Sequence, residues 1–332
     1  MEFEPWWLLA LPLFFALGWW ACRLERRYSS RPSEGLGEAT ASGVTGSSTD
    51  ARSQALLALL RDAPDEALNV LTQQIGREPD SVALQSALAL LYRARGETDR
   101  AIRVHQALSE RSDIGQSQQH RARLELGVDF IKAGLIDRAE DTLAALAGTE
   151  FSVPALRHRL MIAQTVRDWT RALGLLDQLE PSAGESMAVH RMHLHCEVAH
   201  SSQDPQQARA AIDAALQAFA EHPRPWLLLG QWAWSQQDAR AAAEAWSRLA
   251  ELSPEHLALV GPAWKDVWRQ LADAHEGTRR LEAIASRLPR AAALHRCSQC
   301  GFKARRHYWQ CPGCSAWDTL PARGEVALGL SD

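Results

Sequence analysis

The sequence predicts an all-α chain: a helical-repeat array behind an N-terminal membrane span, closed by a small C-terminal metal knot. Three observations predict it. Alanine, leucine, glutamine and arginine recur through the middle while valine, isoleucine and tyrosine are sparse, which favours helix over strand. A long uncharged run opens the chain, and four cysteines in two close pairs lie near its end. At 46% hydrophobic and 23% charged, the 332 residues have the composition of a folded protein too long for one compact domain. The net charge of −4 sets up no global field that would select a nucleic acid or a strongly acidic partner.

The N-terminal element runs from Pro5 to Cys22 (PWWLLALPLFFALGWWAC) with no charged residue. About 18 residues at 1.5 Å rise span roughly 27 Å, close to a hydrocarbon core. Trp6 and Trp7 stand at one end and Trp19 and Trp20 at the other, where indoles favour the membrane interfaces. Glu2 and Glu4 precede the run and Arg23, Arg26 and Arg27 follow it, the reverse of a secretory signal. The arginines place everything after residue 23 in the cytoplasm, on a single-pass chain. Residues 29–50 are rich in Ser, Gly and Thr and read as a flexible tether with a reach of roughly 25 Å.

The next element is periodic. The segment from Trp226 places Trp226, Leu229, Gly230, Ala242, Trp246, Leu249 and Pro254 at the spacings of a helix pair in which small residues allow close approach and large ones fill the gaps. It resembles a tetratricopeptide repeat. Gly96, Ala101 and Leu108 after Leu88, Ala89 and Tyr92 make a second such unit, and Gly127, Phe130, Gly134, Ala139 and Leu143 a third. Ala67, Leu71 and Pro79, then Ala172, Leu176 and Leu179, then Ala208 and Ile212 mark three more, so six units are visible. The helical pattern after Pro254, to about Leu288, reads as a terminal cap. A superhelix of this kind presents its first helices along an inner groove, and such grooves bind peptides or helices.

In the fifth unit His190, His193, Glu197 and His200 share one helix face on the groove side. Imidazole and carboxylate at this spacing could hold zinc, but a polar groove facing a partner needs the same residues and no metal. No serine elbow, phosphate loop or His-Glu-x-x-His stretch occurs, so the chain is expected not to be an enzyme. Cys22 and Cys196 read as small apolar fillers.

The last element carries Cys297, Cys300, Cys311 and Cys314, two Cys-x-x-Cys pairs separated by ten residues. Two such turns can close a tetrahedral shell of four thiolates around one ion, iron or zinc. Gly301 suits the positive φ that such a turn needs. Disulfides are disfavoured in a reducing cytoplasm. So small a knot needs metal bonds to fold, and Phe302, Tyr308, Trp309 and Trp317 are expected to cover the site.

The ending RCSQCGF…YWQCPGCSAWDTL is rubredoxin-like. With the span and the repeats, it resembles the LapB (YciM) family of lipopolysaccharide assembly proteins, most specifically at Cys297, Cys300, Gly301, Phe302, Tyr308, Trp309, Cys311, Pro312, Cys314, Ala316 and Trp317. The resemblance implies an inner-membrane adaptor, with its bulk on the cytoplasmic side, that limits lipopolysaccharide synthesis by presenting the deacetylase LpxC to the protease FtsH. It also implies response to an inner-membrane regulator of lipid A supply, and a knot that packs against the repeats. The expected divisions are 1–28 for the anchor, 29–50 for the linker, 51–290 for the repeats, 291–324 for the knot and 325–332 for a tail. Two other readings compete. One is a rubredoxin-type electron carrier. The other is a nucleic-acid module built on Arg296, Lys303, Arg305 and Arg306 beside Tyr308 and Trp309, although no nucleic-acid partner is expected. The sequence leaves homo-oligomerisation open.

Overall fold

The computed structural model describes residues 57–58, 61, 63–183, 187–260, 263–271 and 295–321. The expected span at 5–22, the linker, most of the cap beyond residue 271 and the tail lie outside the described residues. Among the described residues, no helix is long and apolar enough to cross a membrane.

Helices follow one another as α1 (Pro64–Arg77), α2 (Val82–Ala94), α3 (Thr98–Glu110), α4 (Gln116–Lys132), α5 (Ile136–Ala144), α6 (Ser152–Thr165), α7 (Trp169–Ala183), α8 (Ala188–Ser201), α9 (Pro205–Phe219), α10 (Pro223–Ser235) and α11 (Ala239–Leu252). A 3₁₀ turn (Pro254–Val260) and α12 (Ala263–Gln270) complete the run. From α2 onward they form pairs α2/α3, α4/α5, α6/α7, α8/α9 and α10/α11, and α1 supplies the second helix of the first repeat. Among the described residues, five of the six units expected from the sequence are therefore complete helix pairs, and the first is represented by its second helix.

Local chemistry makes each pair. Four of the five turns within a pair close by one scheme, in which the residue after the helix cap takes a left-handed conformation. Gly96 (φ 79°), Gly134 (φ 74°), Arg167 (φ 60°) and Gln237 (φ 62°) occupy that position. The next amide donates back to the helix, as from Glu97 to the Tyr92 carbonyl and from Asp238 to that of Ala233. Asp204 and Asp238 then cap the following helices, accepting from the Gln206 and Ala241 amides.

The core lies between the helices of each pair. Ala67, Ala101, Ala139, Ala172 and Ala242 near the start of each second helix are fully buried, and Ala208 nearly so. Opposite them, close approach demands glycine. A methyl on Gly230 would sit 2.1 Å from Nε1 of the fully buried Trp246, and one on Gly127 would sit 2.6 Å from Cδ2 of Leu143. A buried polar link joins the second and third repeats: Asp129 of α4 lies 2.5 Å from Nδ1 of His105 on α3 and pairs at 3.1 Å with Arg93 of α2. Both His105 and Asp129 are fully buried, so their partners are what makes burial tolerable.

The C-terminal knot is built on a two-stranded antiparallel ribbon, β1 (His295–Arg296) with β2 (Lys303–Ala304), in the register His295 with Ala304 and Arg296 with Lys303. A further bridge pairs Gln310 with Trp317.

Candidate metal centre

The two Cys-x-x-Cys turns repeat one hydrogen-bond scheme. Cys297 donates its amide to the Phe302 carbonyl at 2.8 Å and accepts at its own carbonyl from Gly301 at 3.0 Å. Cys311 does the same with Ala316 and Ser315, both at 2.8 Å. The residue after each second cysteine is left-handed, Gly301 at φ 74° and Ser315 at φ 58°. Glycine adopts this freely, whereas serine there is strained. Each turn also aims an amide at its first sulfur, Cys300 to Cys297 Sγ at 3.5 Å and Gly313 to Cys311 Sγ at 3.4 Å.

The result brings all four Sγ atoms within 4.8 Å of one another. Two separations across the turns, Cys297 to Cys314 and Cys300 to Cys311, are 3.7 Å. A tetrahedral ion with metal–sulfur bonds of about 2.3 Å requires sulfur–sulfur edges of about 3.8 Å, so the cluster fits one ion. Its electrostatics fit as well. The Thr319 hydroxyl 3.3 Å from Cys297 Sγ, with burial opposing and nearby amides assisting, draws that thiol down to about 6. Cys314 is drawn down by the Ala316 amide, but burial and the three neighbouring cysteines win and push it up to about 12. Four thiolates this close repel one another unless a cation sits between them. The set is consistent with one metal ion, and iron and zinc both accept four thiolates in a tetrahedron.

The aromatic cover differs from the sequence expectation. Phe302 does pack at the centre, with its Cβ 3.2 Å from where a methyl on Gly313 would lie, and Tyr308 packs with Cys297, Cys311 and Leu320. Trp309 and Trp317, by contrast, turn onto the repeats. Trp317 stacks on His193 of α8 (centroids 4.6 Å, planes 12°), and Trp309 stacks on His256 of the 3₁₀ turn (4.9 Å, 9°). The Arg224 guanidinium from α10 lies 5.6 Å from one indole and 5.4 Å from the other.

At the centre of this contact stands Asp318. Its Oδ2 lies 2.6 Å from Nε2 of His193 and 3.2 Å from Nε2 of His222. Arg224 Nη1 donates to His193 Nδ1 at 3.0 Å, and the Arg224 amide donates to His222 Nδ1 at 3.2 Å. Glu197 closes the chain on the Arg224 guanidinium. Burial drives the His193 imidazole down to about 4, against the pull of Asp318. Burial would raise Asp318, but the two histidine hydrogen bonds hold it well below the usual carboxylate range.

Two histidines and a carboxylate converging this closely could be taken for a second metal site. The hydrogen bonds argue otherwise. Both Nδ1 atoms face donors and so act as acceptors, which puts the proton of each neutral ring on Nε2. A ring carrying its proton on Nε2 cannot bind a metal there, and a ligating histidine normally donates from its other nitrogen. The triad is a latch in which both rings donate to Asp318.

The histidine stripe expected to face an outside partner is therefore divided. His193 and Glu197 join the latch, and His190 accepts from Gln164 Nε2 at 2.7 Å beside Trp317. His200 is exposed, away from these contacts. Cys196 is fully buried and its thiol is pushed up to about 12 by burial, as suits a filler. Sequence reasoning missed Asp318, His222 and Arg224. The signal available was Asp318 four residues beyond Cys314, but its partners are remote in sequence.

Comparisons with known proteins match both the repeats and the knot. A family model described as a rubredoxin metal binding domain matches residues 295–321, and one described as a tetratricopeptide repeat matches 83–116. The chain is 26% identical over 340 residues to lipopolysaccharide assembly protein B of Escherichia coli strain K12, covering 80% of this chain and 87% of the relative. It is 22% identical over 394 residues to the protein of the same name from Haemophilus influenzae, covering 94% and 96%. Among solved structures, the C-terminal part of a TPR repeat-containing protein from Cytophaga hutchinsonii is similar at 13% identity, covering 71% of this chain and 96% of that one, with a TM-score of 0.49. These relatives bear the name of an assembly protein and not of an enzyme. The chain is a homologue of lipopolysaccharide assembly protein B, built from tetratricopeptide repeats and a rubredoxin-type metal-binding domain.

Proposed function

We propose that the chain is an inner-membrane-anchored cytoplasmic adaptor that restrains lipopolysaccharide synthesis by presenting the deacetylase LpxC to the protease FtsH. In this reading Cys297, Cys300, Cys311 and Cys314 hold one zinc or iron ion. A shell closed by four thiolates supplies folding energy rather than an open coordination position for a reactant. Residues 5–22 keep the adaptor at the membrane, where client and protease meet at raised effective concentration.

The observation that carries the reading is the seat of the knot on the first helices of the later repeats. Ala89, Gly127, Leu160 and Cys196 each stand twelve residues before the buried alanine of their second helix (Ala101, Ala139, Ala172, Ala208). The residue after each is Leu90, Val128, Met161 or Glu197. Glu197, at this register, faces Arg224 under the knot. The same register in the earlier repeats is apolar, with Leu90 at 42% and Met161 at 39% exposure and Val128 half-buried between them. Exposed apolar side chains in one row favour an amphipathic segment of a client.

The test is a strain whose only copy lacks residues 1–28. The shortened protein is expected to keep its helical content while LpxC accumulates. Unchanged LpxC turnover would overturn the adaptor reading. Metal analysis of the purified chain, at one ion per chain and lost on changing all four cysteines to serine, tests the ligand assignment separately.

A further inference from the structure

The outward side of the knot is cationic. Arg296 and Lys303 are cross-strand partners in the ribbon, and both are exposed while His295 behind them is buried. Arg305 and Arg306 follow, also exposed. Arg306 donates to the Tyr308 hydroxyl at 2.6 Å and lies over that ring at 4.8 Å. Phe302, which precedes Lys303 and rests its Cβ against the second cysteine turn, leaves 37% of its surface exposed. Within residues 295–321 the one carboxylate is Asp318, engaged by His193 and His222 on the side facing the repeats. Among the described residues, no carboxylate forms an ion pair with any of these four cations.

A cationic face with one protruding apolar ring fits two kinds of surface, a nucleic acid or an anionic bilayer. Single-stranded nucleic acid needs open rings for base stacking. Here Trp309 and Trp317 are stacked against His256 and His193, and the Tyr308 ring is covered by Arg306. That leaves Phe302 alone, which is too little for a stacking platform. A bilayer needs only clustered cations and a shallow apolar anchor.

We propose that Arg296, Phe302, Lys303, Arg305 and Arg306 form a face that docks on the anionic phospholipid headgroups of a bilayer. The proposal rests on the reading that residues 5–22 tether the chain to a membrane, because tethering keeps the whole chain, knot included, at a raised effective concentration near that surface. Each cation near an anionic surface contributes about a fivefold gain in partition, and the gain fades with salt. Four together make docking of a tethered domain the dominant state.

The experiment places the full chain in nanodiscs of phosphatidylcholine alone or mixed with phosphatidylglycerol and reads amide hydrogen exchange across residues 295–306. Exchange is expected to slow in the anionic discs and to return to its zwitterionic rate in raised salt. It is also expected to return in the R296Q/K303Q/R305Q/R306Q variant, with helical content and bound metal unchanged. Equal exchange in the two lipids would overturn the proposal, as would protection by polyuridine or polyglutamate but not by anionic lipid. Loss of metal from the variant, with no lipid dependence in the parent, would assign the cations to balancing the thiolates instead. A chain that failed to enter nanodiscs would sink the tether reading alone, and exchange with added phosphatidylglycerol vesicles would then decide the docking face.

Discussion

Asp318 accepts a hydrogen bond at 2.6 Å from Nε2 of His193, a residue 125 positions earlier, and so joins the second cysteine turn to the fifth repeat. It accepts from His222 of the sixth repeat as well, which makes one carboxylate the meeting point of two repeats and the knot. The turn that bears Cys311 and Cys314 is thereby tied to the first-helix face of the array.

Replacing Asp318 with asparagine tests this latch. Asparagine tolerates the left-handed backbone that Asp318 adopts at φ 55°, so backbone strain does not confound the result. Its carbonyl oxygen can take the place of Oδ2 and accept from both histidines, so the change removes the charge and keeps the two hydrogen bonds. Two charge-assisted bonds become neutral ones, at a cost of about 1–2 kcal/mol. Amide exchange at residues 309–320 is expected to speed while bound metal stays constant. Unaltered exchange would show that the stacked tryptophans alone hold the knot.

The same latch predicts a pH dependence. His193 is drawn from 6.5 down to about 4 in the folded chain, chiefly by burial, and burial lowers His190 and His256 too. A base depressed on docking is neutral when docked and takes up its proton when released. Docking is therefore fully favoured above about pH 6.5 and weakens as pH falls toward 4, by at most about 3 kcal/mol for His193, because Arg224 and His222 of the repeats already contribute part of the shift. Indole fluorescence of the docked knot should change across that window, with metal content followed in parallel. In His193→Gln the change should shrink, because the replacement cannot titrate.

Much of this architecture was legible in the sequence because it rests on local rules. Ala101, Ala139, Ala172, Ala208 and Ala242 announce repeats by their spacing, and four cysteines in two turns announce a cluster, since each turn needs only neighbouring residues to form. Asp318 was not legible, because nothing within its own turn states that its partners are His193 and His222. The same holds for Trp309 and Trp317, whose indoles could equally have covered the sulfurs. It holds again for Asp129, a carboxylate buried on α4 that is tolerable only once His105 and Arg93 meet it.

Gly230 and Trp246 give a packing prediction. Alanine at 230 would drive a methyl to 2.1 Å from Trp246 Nε1, and the indole is fully buried with nowhere to retreat. Gly230→Ala should cost about 1–3 kcal/mol or more, read as a fall in the denaturation midpoint. The third repeat solves the same contact with Leu143 opposite Gly127. Gly230→Ala combined with Trp246→Leu should therefore lose less than the sum of the two single changes. Strict additivity would mean that the two side chains do not meet.

The paired cysteine turns make the last prediction, from the one respect in which they differ. Gly301 and Ser315 occupy equivalent left-handed positions, yet only glycine does so without strain. Ser315→Gly removes a penalty of about 1 kcal/mol at that backbone and deletes only an exposed hydroxyl. The reciprocal change, Gly301→Ala, introduces the penalty, and the nearest atom to the new methyl is Arg296 Nη2 at 3.7 Å, so crowding adds nothing. Metal loss to a chelator should slow in Ser315→Gly and quicken in Gly301→Ala, each by roughly fivefold. If both variants released the ion at the parent rate, turn geometry would not limit the opening of the knot, and the equivalence of the two turns would carry no energetic weight.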